Sequence, residues 1–253
     1  MCLIVVAHQT HPHYPLLLAA NRDEFRQRPT QRMHQWPKTN MFAGKDLQAG
    51  GTWFAIGRDG RWAAITNYRD GKAAPHVGPS RGRICTDFIE QSNSAKAFAE
   101  QLSEQLFAGF NLLLWDGLNL VYYSNRCNRP PQALAPGVYG LSNALLDSNW
   151  PKVNQVKASM KDLLLKPQVQ HQHLQEIMAN DQLADDHLLP DTGIAINWER
   201  QLSSCFIDAP DMDYGTRTCI SIWQNQQGQL HICERDFDVA DSPDQDFSFN
   251  LTT

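Results

Sequence analysis

The residue with the most chemistry to offer is Cys2. A second-position cysteine is small enough for the initiator methionine to be removed, and removal of Met1 would leave one residue carrying both a thiol and a free α-amine. An α-amine has a pKa of roughly 7.7–8.0, so near neutral pH a useful fraction is the free base. It can take the thiol proton directly or through one water, which supplies nucleophile and base in a single residue. A lone Met-Cys start also arises by chance. The second cluster is Asn21-Arg22-Asp23-Glu24, which follows the apolar run 16–20. If that run pairs antiparallel with the run 3–8, its end comes beside the N-terminus. A carboxylate there orients an amine or ammonium, and an arginine lowers a thiol pKa.

Other chemistry-bearing residues fit blander roles. Trp53 and Trp62 stand on either side of the Asp59-Gly60 turn, where they fit a sandwich core or a pocket wall; Trp53, with Arg22, is carried forward as substrate-binding. His8, His11 and His13 cluster around Pro12, which favours an exposed loop, and no metal site is expected. Ser80-Arg81-Gly82 fits an anion site at a helix N-terminus or a cap with a surface arginine.

The whole chain sets bounds on these readings. It has 253 residues, of which 42% are hydrophobic and 19% charged, a composition that can bury a large core. A net charge of −5 gives no reason to expect nucleic acid or an anionic membrane as partner. The start lacks a basic n-region, and no apolar run approaches the roughly 20 residues of a membrane span, so a cytoplasmic protein is expected. Six cysteines are scattered without a C-x-x-C pair, which fits neither a disulfide framework nor a zinc site. No cofactor is expected.

The elements that must position Cys2 follow from periodicity and turns. Runs 3–8 and 16–20 read as two antiparallel strands, and 52–56 with 62–66 as a hairpin around Asp59-Gly60. Helices are predicted from Ser80 as N-cap through residue 89 and over 94–107. A hairpin is predicted at 110–124, a strand at 138–141 and a helix from Pro151, then a last hairpin over 218–234. The tail from Asp241 is polar and is expected to fray. The order of strands and helices is not the alternation of a parallel sheet. It predicts an α+β protein, a four-layer αββα sandwich of two mostly antiparallel sheets flanked by helices, in a single domain over 1–253.

The motifs, in order, resemble one family. Met1-Cys2, Asn21-Arg22-Asp23-Glu24 and Ala49-Gly50-Gly51-Thr52-Trp53 resemble the NRDE family, also called transport and Golgi organization protein 2-like, of the Ntn-hydrolase-like superfamily. So do Thr66-Asn67-Tyr68-Arg69, Ser80-Arg81-Gly82, Gly140-Leu141-Ser142-Asn143, Trp150-Pro151-Lys152 and Gly215-Thr216-Arg217. By resemblance to choloylglycine-hydrolase and penicillin-V-acylase relatives, Cys2 would be the nucleophile and Asp23 the aspartate that steadies its amine. Asn67 would help form the oxyanion hole, Asn143 would be a second asparagine near the nucleophile, and Arg217 a later arginine of the same site. Neutral amide donors suit an oxyanion. Those relatives carry an arginine where this chain has Ala20. Arg22 adjoins Asp23, so it is expected on the other face of the strand, holding a loop or Glu24.

Two functions are implied. One is an Ntn-type cysteine amidohydrolase cleaving a linear amide C–N bond. The other is a non-catalytic carrier using the same cleft, since eukaryotic members of the family are associated with Golgi organization, lipid metabolism and haem trafficking. Either way the partner is a small molecule with an amide or hydrophobic group.

Overall fold

Residues 3–7 are apolar at every position, and so are 16–20, so strands built from them need cover on both faces. A computed structural model, which describes residues 2–74, 78–102 and 107–251, provides that cover. Strands β1 (Cys2–His8) and β2 (Leu16–Phe25) pair antiparallel. Their odd-numbered side chains, such as Leu3, Val5, Leu17 and Ala19, pack beneath helices, and the even-numbered Ile4, Val6, Leu18 and Ala20 face a second sheet. Each fully buried side chain of leucine size contributes roughly 1.5–3 kcal/mol to holding these layers together.

The chain continues through β3 (Thr30–Gln35), β4 (Met41–Asp46), β5 (Phe54–Gly57) and β6 (Trp62–Asn67), then helices α1 (Gly82–Glu90) and α2 (Ala95–Leu102). It returns through β7 (Phe110–Trp115), β8 (Leu120–Ser124), β9 (Gln132–Ala133) and β10 (Gly137–Leu141). Helices α3 (Pro151–Leu163), α4 (His171–Ile177) and α5 (Ile196–Gln201) precede β11 (Asp208–Ala209), β12 (Tyr214–Gln224), β13 (Gln229–Asp236) and β14 (Gln245–Asn250). The first sheet has the order β10-β1-β2-β12-β13-β14, with β11 beside β12; the second runs β3 to β9 in sequence. Three apolar interfaces separate four layers. One lies between the sheets, around Ile4, Phe54, Trp62 and Ile220. A second packs α1 and α2 on the second sheet, through Phe88, Phe98 and Leu112. The third packs α3 and α4 on the first sheet, through Val5, Val156 and Leu174. This is the α+β, αββα arrangement expected from the sequence.

Three details depart from expectation, and a fourth is described only in part. The tail after Asp241 does not simply fray: β14 pairs with β13 from Gln245 to Asn250. Its Phe247 and Phe249 alternate with polar residues, and both rings pack on Phe42. The N-cap of α1 is Arg81, and Ser80 Oγ accepts the Gly82 N–H at 3.3 Å. His8 and His11 are buried, His11 against the Lys166 carbonyl at 2.9 Å and His8 edge-on to Trp115. The second helix is seen over Ala95–Leu102, and positions 103–106 of the predicted span lie outside the described residues.

Candidate active site

Directly opposed residues of neighbouring antiparallel strands share a face. Cys2 opposes Arg22, and Arg22 opposes Thr218, so these three side chains form one row pointing between the two sheets. All three line a cleft of about 200 Å³ at the end of the sandwich. The tetrad after β2's apolar run splits by the two-residue period. Asn21 and Asp23 turn toward the helical layer, and Arg22 and Glu24 toward the cleft. Asn21 Nδ2 donates to the carbonyls of Met178 (2.9 Å) and Cys205 (3.0 Å), which anchors the strand to the loops beyond α4. Asp23 Oδ1 accepts from Thr216 Oγ1 at 2.7 Å, and its carbonyl accepts from Tyr214 Oη at 2.9 Å. Asp23 also reaches the cleft wall beside Cys2.

Arg22 therefore does face away from Asp23, as expected, but the face it takes is that of the Cys2 thiol. It is 5% exposed, Glu24 Oε2 stands 4.0 Å from its Nη2, and its Nη1 is buried without a hydrogen-bonding partner among the described residues.

The two asparagines meet at the top of the sandwich. Asn143, fully buried after β10, donates through Nδ2 to the Asn67 carbonyl (2.9 Å) and to Asn67 Oδ1 (3.1 Å). That fixes the Asn67 side chain and leaves its own Nδ2 to donate elsewhere, while Asn67 lines the cleft. Around them Thr66 Oγ1 donates to the Ser142 carbonyl at 2.6 Å, Ser142 Oγ to the Cys2 carbonyl at 3.2 Å, and the Arg69 N–H to the Asn143 carbonyl at 2.7 Å. The segments 66–69 and 140–143 thus stitch the second sheet to the Cys2 strand. On the opposite wall Gly51 touches Gly82. A Cβ on Gly51 would fall 2.3 Å from the Gly82 carbonyl carbon, and the Thr52 N–H donates to the Gly82 carbonyl at 2.9 Å. This contact brings Trp53, Ser80 and Arg81 to the cleft, with Arg81 Nη1 donating to the Gly109 carbonyl at 2.7 Å. Trp62, by contrast, is wholly in the core.

Burial governs the electrostatics. It pushes the Cys2 thiol up to about 11; the charges of Asp23 and Glu24 add to the rise, and Arg22 opposes it. Burial also raises Asp23, against the pull of Lys152, the Thr216 hydroxyl and Arg69. Lys152 is lowered to about 8 by burial, with Asp23 as the first group opposing that shift. Farther along the cleft, burial raises Glu234 to about 7, although it accepts the Met33 N–H at 2.8 Å and faces Arg32 at 3.5 Å. Among the described residues no group of three or more His, Cys, Asp or Glu could hold a metal ion.

Cys2, Asp23, Asn67, Arg22 and Trp53 thus come together at one cleft, with Asn143 directly behind Asn67. Arg217 does not. It is the extra residue of a β-bulge in β12, where the register shifts between Thr216 and Thr218. Its Nε and Nη2 donate to the Asp238 carboxylate, and its Nη1 to the carbonyls of Phe25 and Arg28. The same bulge lets Thr216 share Asp23's face and Thr218 share Arg22's. Sequence reasoning passed over Thr218 and Glu234, and it weighed Arg81 as an anion site or as a surface arginine beside a cap. Arg81 and Lys152 stood inside quoted motifs, but Glu234 carried no local signal, because burial alone makes it distinctive.

A sequence model of the family described as transport and Golgi organisation 2 matches residues 1–239. The chain belongs to that family. The bovine transport and Golgi organization protein 2 homolog is 33% identical, over 93% of this chain and 92% of its own. The human homolog is 30% identical, over 99% of both. Among solved structures, the C2A mutant of a conjugated bile acid hydrolase from Clostridium perfringens superposes with a TM-score of 0.52 at 9% identity, covering 100% of this chain and 98% of that one. This family member therefore has the Ntn-hydrolase fold. No helix among its described residues is long and apolar enough to cross a membrane.

Proposed function

We propose that this protein is an Ntn-type cysteine amidohydrolase acting on a linear amide C–N bond of a small molecule in the cytoplasm. Cys2, once Met1 is removed, is the nucleophile. The observation that carries this reading is the row of Cys2, Arg22 and Thr218 opening on a cleft whose other wall holds Asn67.

Even an ordinary thiol, with a pKa of about 8.5, is largely protonated at neutral pH, so attack needs a base already in position. The α-amine of Cys2 is that base in the proposed mature chain, and Asp23 holds it from the helical side of the strand. The amine takes the thiol proton as sulfur attacks the carbonyl carbon. The resulting oxyanion accepts from Asn67 Nδ2, whose orientation Asn143 fixes. The same amine returns the proton to the leaving nitrogen, the C–N bond breaks, and a thioester remains. Water then adds to the thioester, and cleavage of the C–S bond restores the thiol. Arg22 and Trp53 bind substrate beside the sulfur.

The carrier reading fares less well at this cleft. Its lining includes Arg22, Arg28, Lys45 and Arg81 against Asp23, Glu24, Asp46 and Glu234, which suits a polar ligand group better than a purely apolar molecule. The test is competition among the cysteines of one molecule. Four of the other five are buried and Cys127 is half-exposed, so Cys127 serves as the internal standard for an ordinary thiol. With a thiol-reactive acyl probe, Cys2 is expected to label saturably and faster than Cys127. Labelling of Cys2 no faster than Cys127 would favour the carrier reading.

A further inference from the structure

The row that places Cys2 has a counterpart at the other end of the same strands. β1 runs from Cys2 at the cleft to His8, about 20 Å along the strand, and β6 runs from Trp62 to Asn67 at the cleft. His8 opposes Leu16, and Leu16 opposes Gln224, so these three side chains share the inner face of the first sheet. On the second sheet Trp62 opposes Trp115, and Trp115 opposes Leu120. The two rows meet around a pocket of about 280 Å³, near the lower end of the range for small-molecule sites.

This pocket is unlike packed core in three ways. The His8 imidazole is 5% exposed, meets the Trp115 ring edge-on at 5.3 Å, and makes no hydrogen bond among the described residues. In the same wall Trp62 Nε1 is buried, also without a partner among them. Buried polar groups are normally satisfied, and two left open at one pocket call for a partner. At the rim, Asp116 Oδ1 accepts the N–H groups of Leu118 (3.0 Å) and Asn119 (2.8 Å), and this pinned turn holds Leu118 81% exposed. Finally, no acid, lysine or arginine lines the pocket among the described residues, whereas the Cys2 cleft has four cations and four carboxylates. Burial lowers the pKa of His8, so its imidazole is neutral at neutral pH.

We propose that this pocket is a second binding site, for an uncharged aromatic or heteroaromatic molecule of one or two rings that carries a hydrogen-bond acceptor. The ligand's ring lies between the His8–Leu16 row and the Trp62–Trp115 row, under Leu118. Both open groups can donate, since an indole N–H only donates and a neutral imidazole has one N–H. The ligand's acceptor, such as a ring carbonyl, takes the His8 N–H. An ionised ligand would lose its hydration there and find no countercharge, so it is rejected. The site needs nothing from Cys2 and stands or falls apart from the amidohydrolase reading.

The test uses the full chain and coumarin, a neutral two-ring compound with one ring carbonyl. Proton–nitrogen NMR spectra follow the indole N–H signals, with Trp53 of the cleft as internal control. Coumarin is expected to shift the Trp62 and Trp115 signals saturably, with a Kd of about 1 mM as suits a fragment of this size, and to leave Trp53 in place. Coumarin-3-carboxylate is expected to bind more weakly by about tenfold or more, for want of a countercharge. His8→Phe keeps a ring against Trp115 and is expected to weaken coumarin binding about fivefold, the worth of one hydrogen bond. If His8→Phe does not fold, Leu118→Asp, at an exposed rim position, decides in its place by a similar weakening. No saturable shift of Trp62 and Trp115, a shift of Trp53 alone, or equal binding of coumarin-3-carboxylate would overturn the proposal. So would binding of coumarin to the folded deciding variant at wild-type affinity.

Discussion

At the scale of single residues, the site is a set of buried polar groups whose burial works against their charged forms. With Met1 in place burial raises the Cys2 thiol to about 11, and in the proposed mature chain its own α-amine is the base. Asn143 matters in this scheme through what it does to Asn67. Replacing it with alanine removes both bonds that orient the Asn67 amide. We expect Asn143→Ala to slow Cys2 acylation by about 10²-fold, the usual cost of losing an oxyanion donor. Urea melts of the same variant should show a stability loss of about 1–3 kcal/mol, from buried hydrogen bonds left unmade. A variant that loses stability but acylates at the wild-type rate would assign Asn143 to structure alone. At this scale the sequence was legible in part. Residue types and the expected pairing of the first two strands pointed to Cys2 and to the cluster 21–24, whereas Asn67 and the role of Asp23 came from the family resemblance. That Arg22 would share the thiol's face depended on the β1–β2 register, which no local motif encodes.

At the scale of elements, the cleft is made by contacts between segments that lie far apart in the chain. Gly51 and Gly82 approach so closely that a methyl group on Gly51 would collide with backbone. We expect Gly51→Ala to cost about 1–3 kcal/mol in a urea melt, as overpacking of a close contact does. It should also lower Cys2 labelling, because it displaces the start of α1 and Arg81 with it. Arg217 makes the opposite case. Its bonds to Asp238 and to the carbonyls of Phe25 and Arg28 tie the β2–β3 turn to the segment after β13. Arg217→Met is expected to reduce stability by about 1.5–3 kcal/mol, from lost charge-assisted hydrogen bonds, with a smaller effect on Cys2 labelling than Asn143→Ala. The hairpins and helices themselves were readable from turns and periodicity. Strand β14 was overlooked because its polar residues dominate its composition. The signal was the alternation of Phe247 and Phe249 with Asp246, Ser248 and Asn250.

At the scale of the whole molecule, the four layers follow from strands that are apolar on both faces, which is why the architecture was legible before its details. The distribution of buried charge was not legible, since Glu234 reads in sequence as one more polar strand residue. Its ordinary pKa of 4.5 is raised to about 7 in the folded protein. The native state therefore binds this proton more tightly than the unfolded chain between those values. The stability it contributes is complete below pH 4.5 and is lost as pH rises through 7. The span corresponds to about 3 kcal/mol. Glu234→Gln should abolish that loss, so its stability relative to wild type should rise by up to about 3 kcal/mol from pH 4.5 to 7.5 in urea melts. A constant difference across that range would contradict the assignment.

The central claim concerns the first residue of the working protein. The measurement that tests it most directly is the mass of the N-terminal peptide, taken from protein treated with an activated acyl donor. The account predicts a peptide that begins at Cys2 and carries one acyl group, with Cys127 unmodified under the same conditions. A peptide that retains Met1, or an acyl group found on Cys127 as readily as on Cys2, would contradict it.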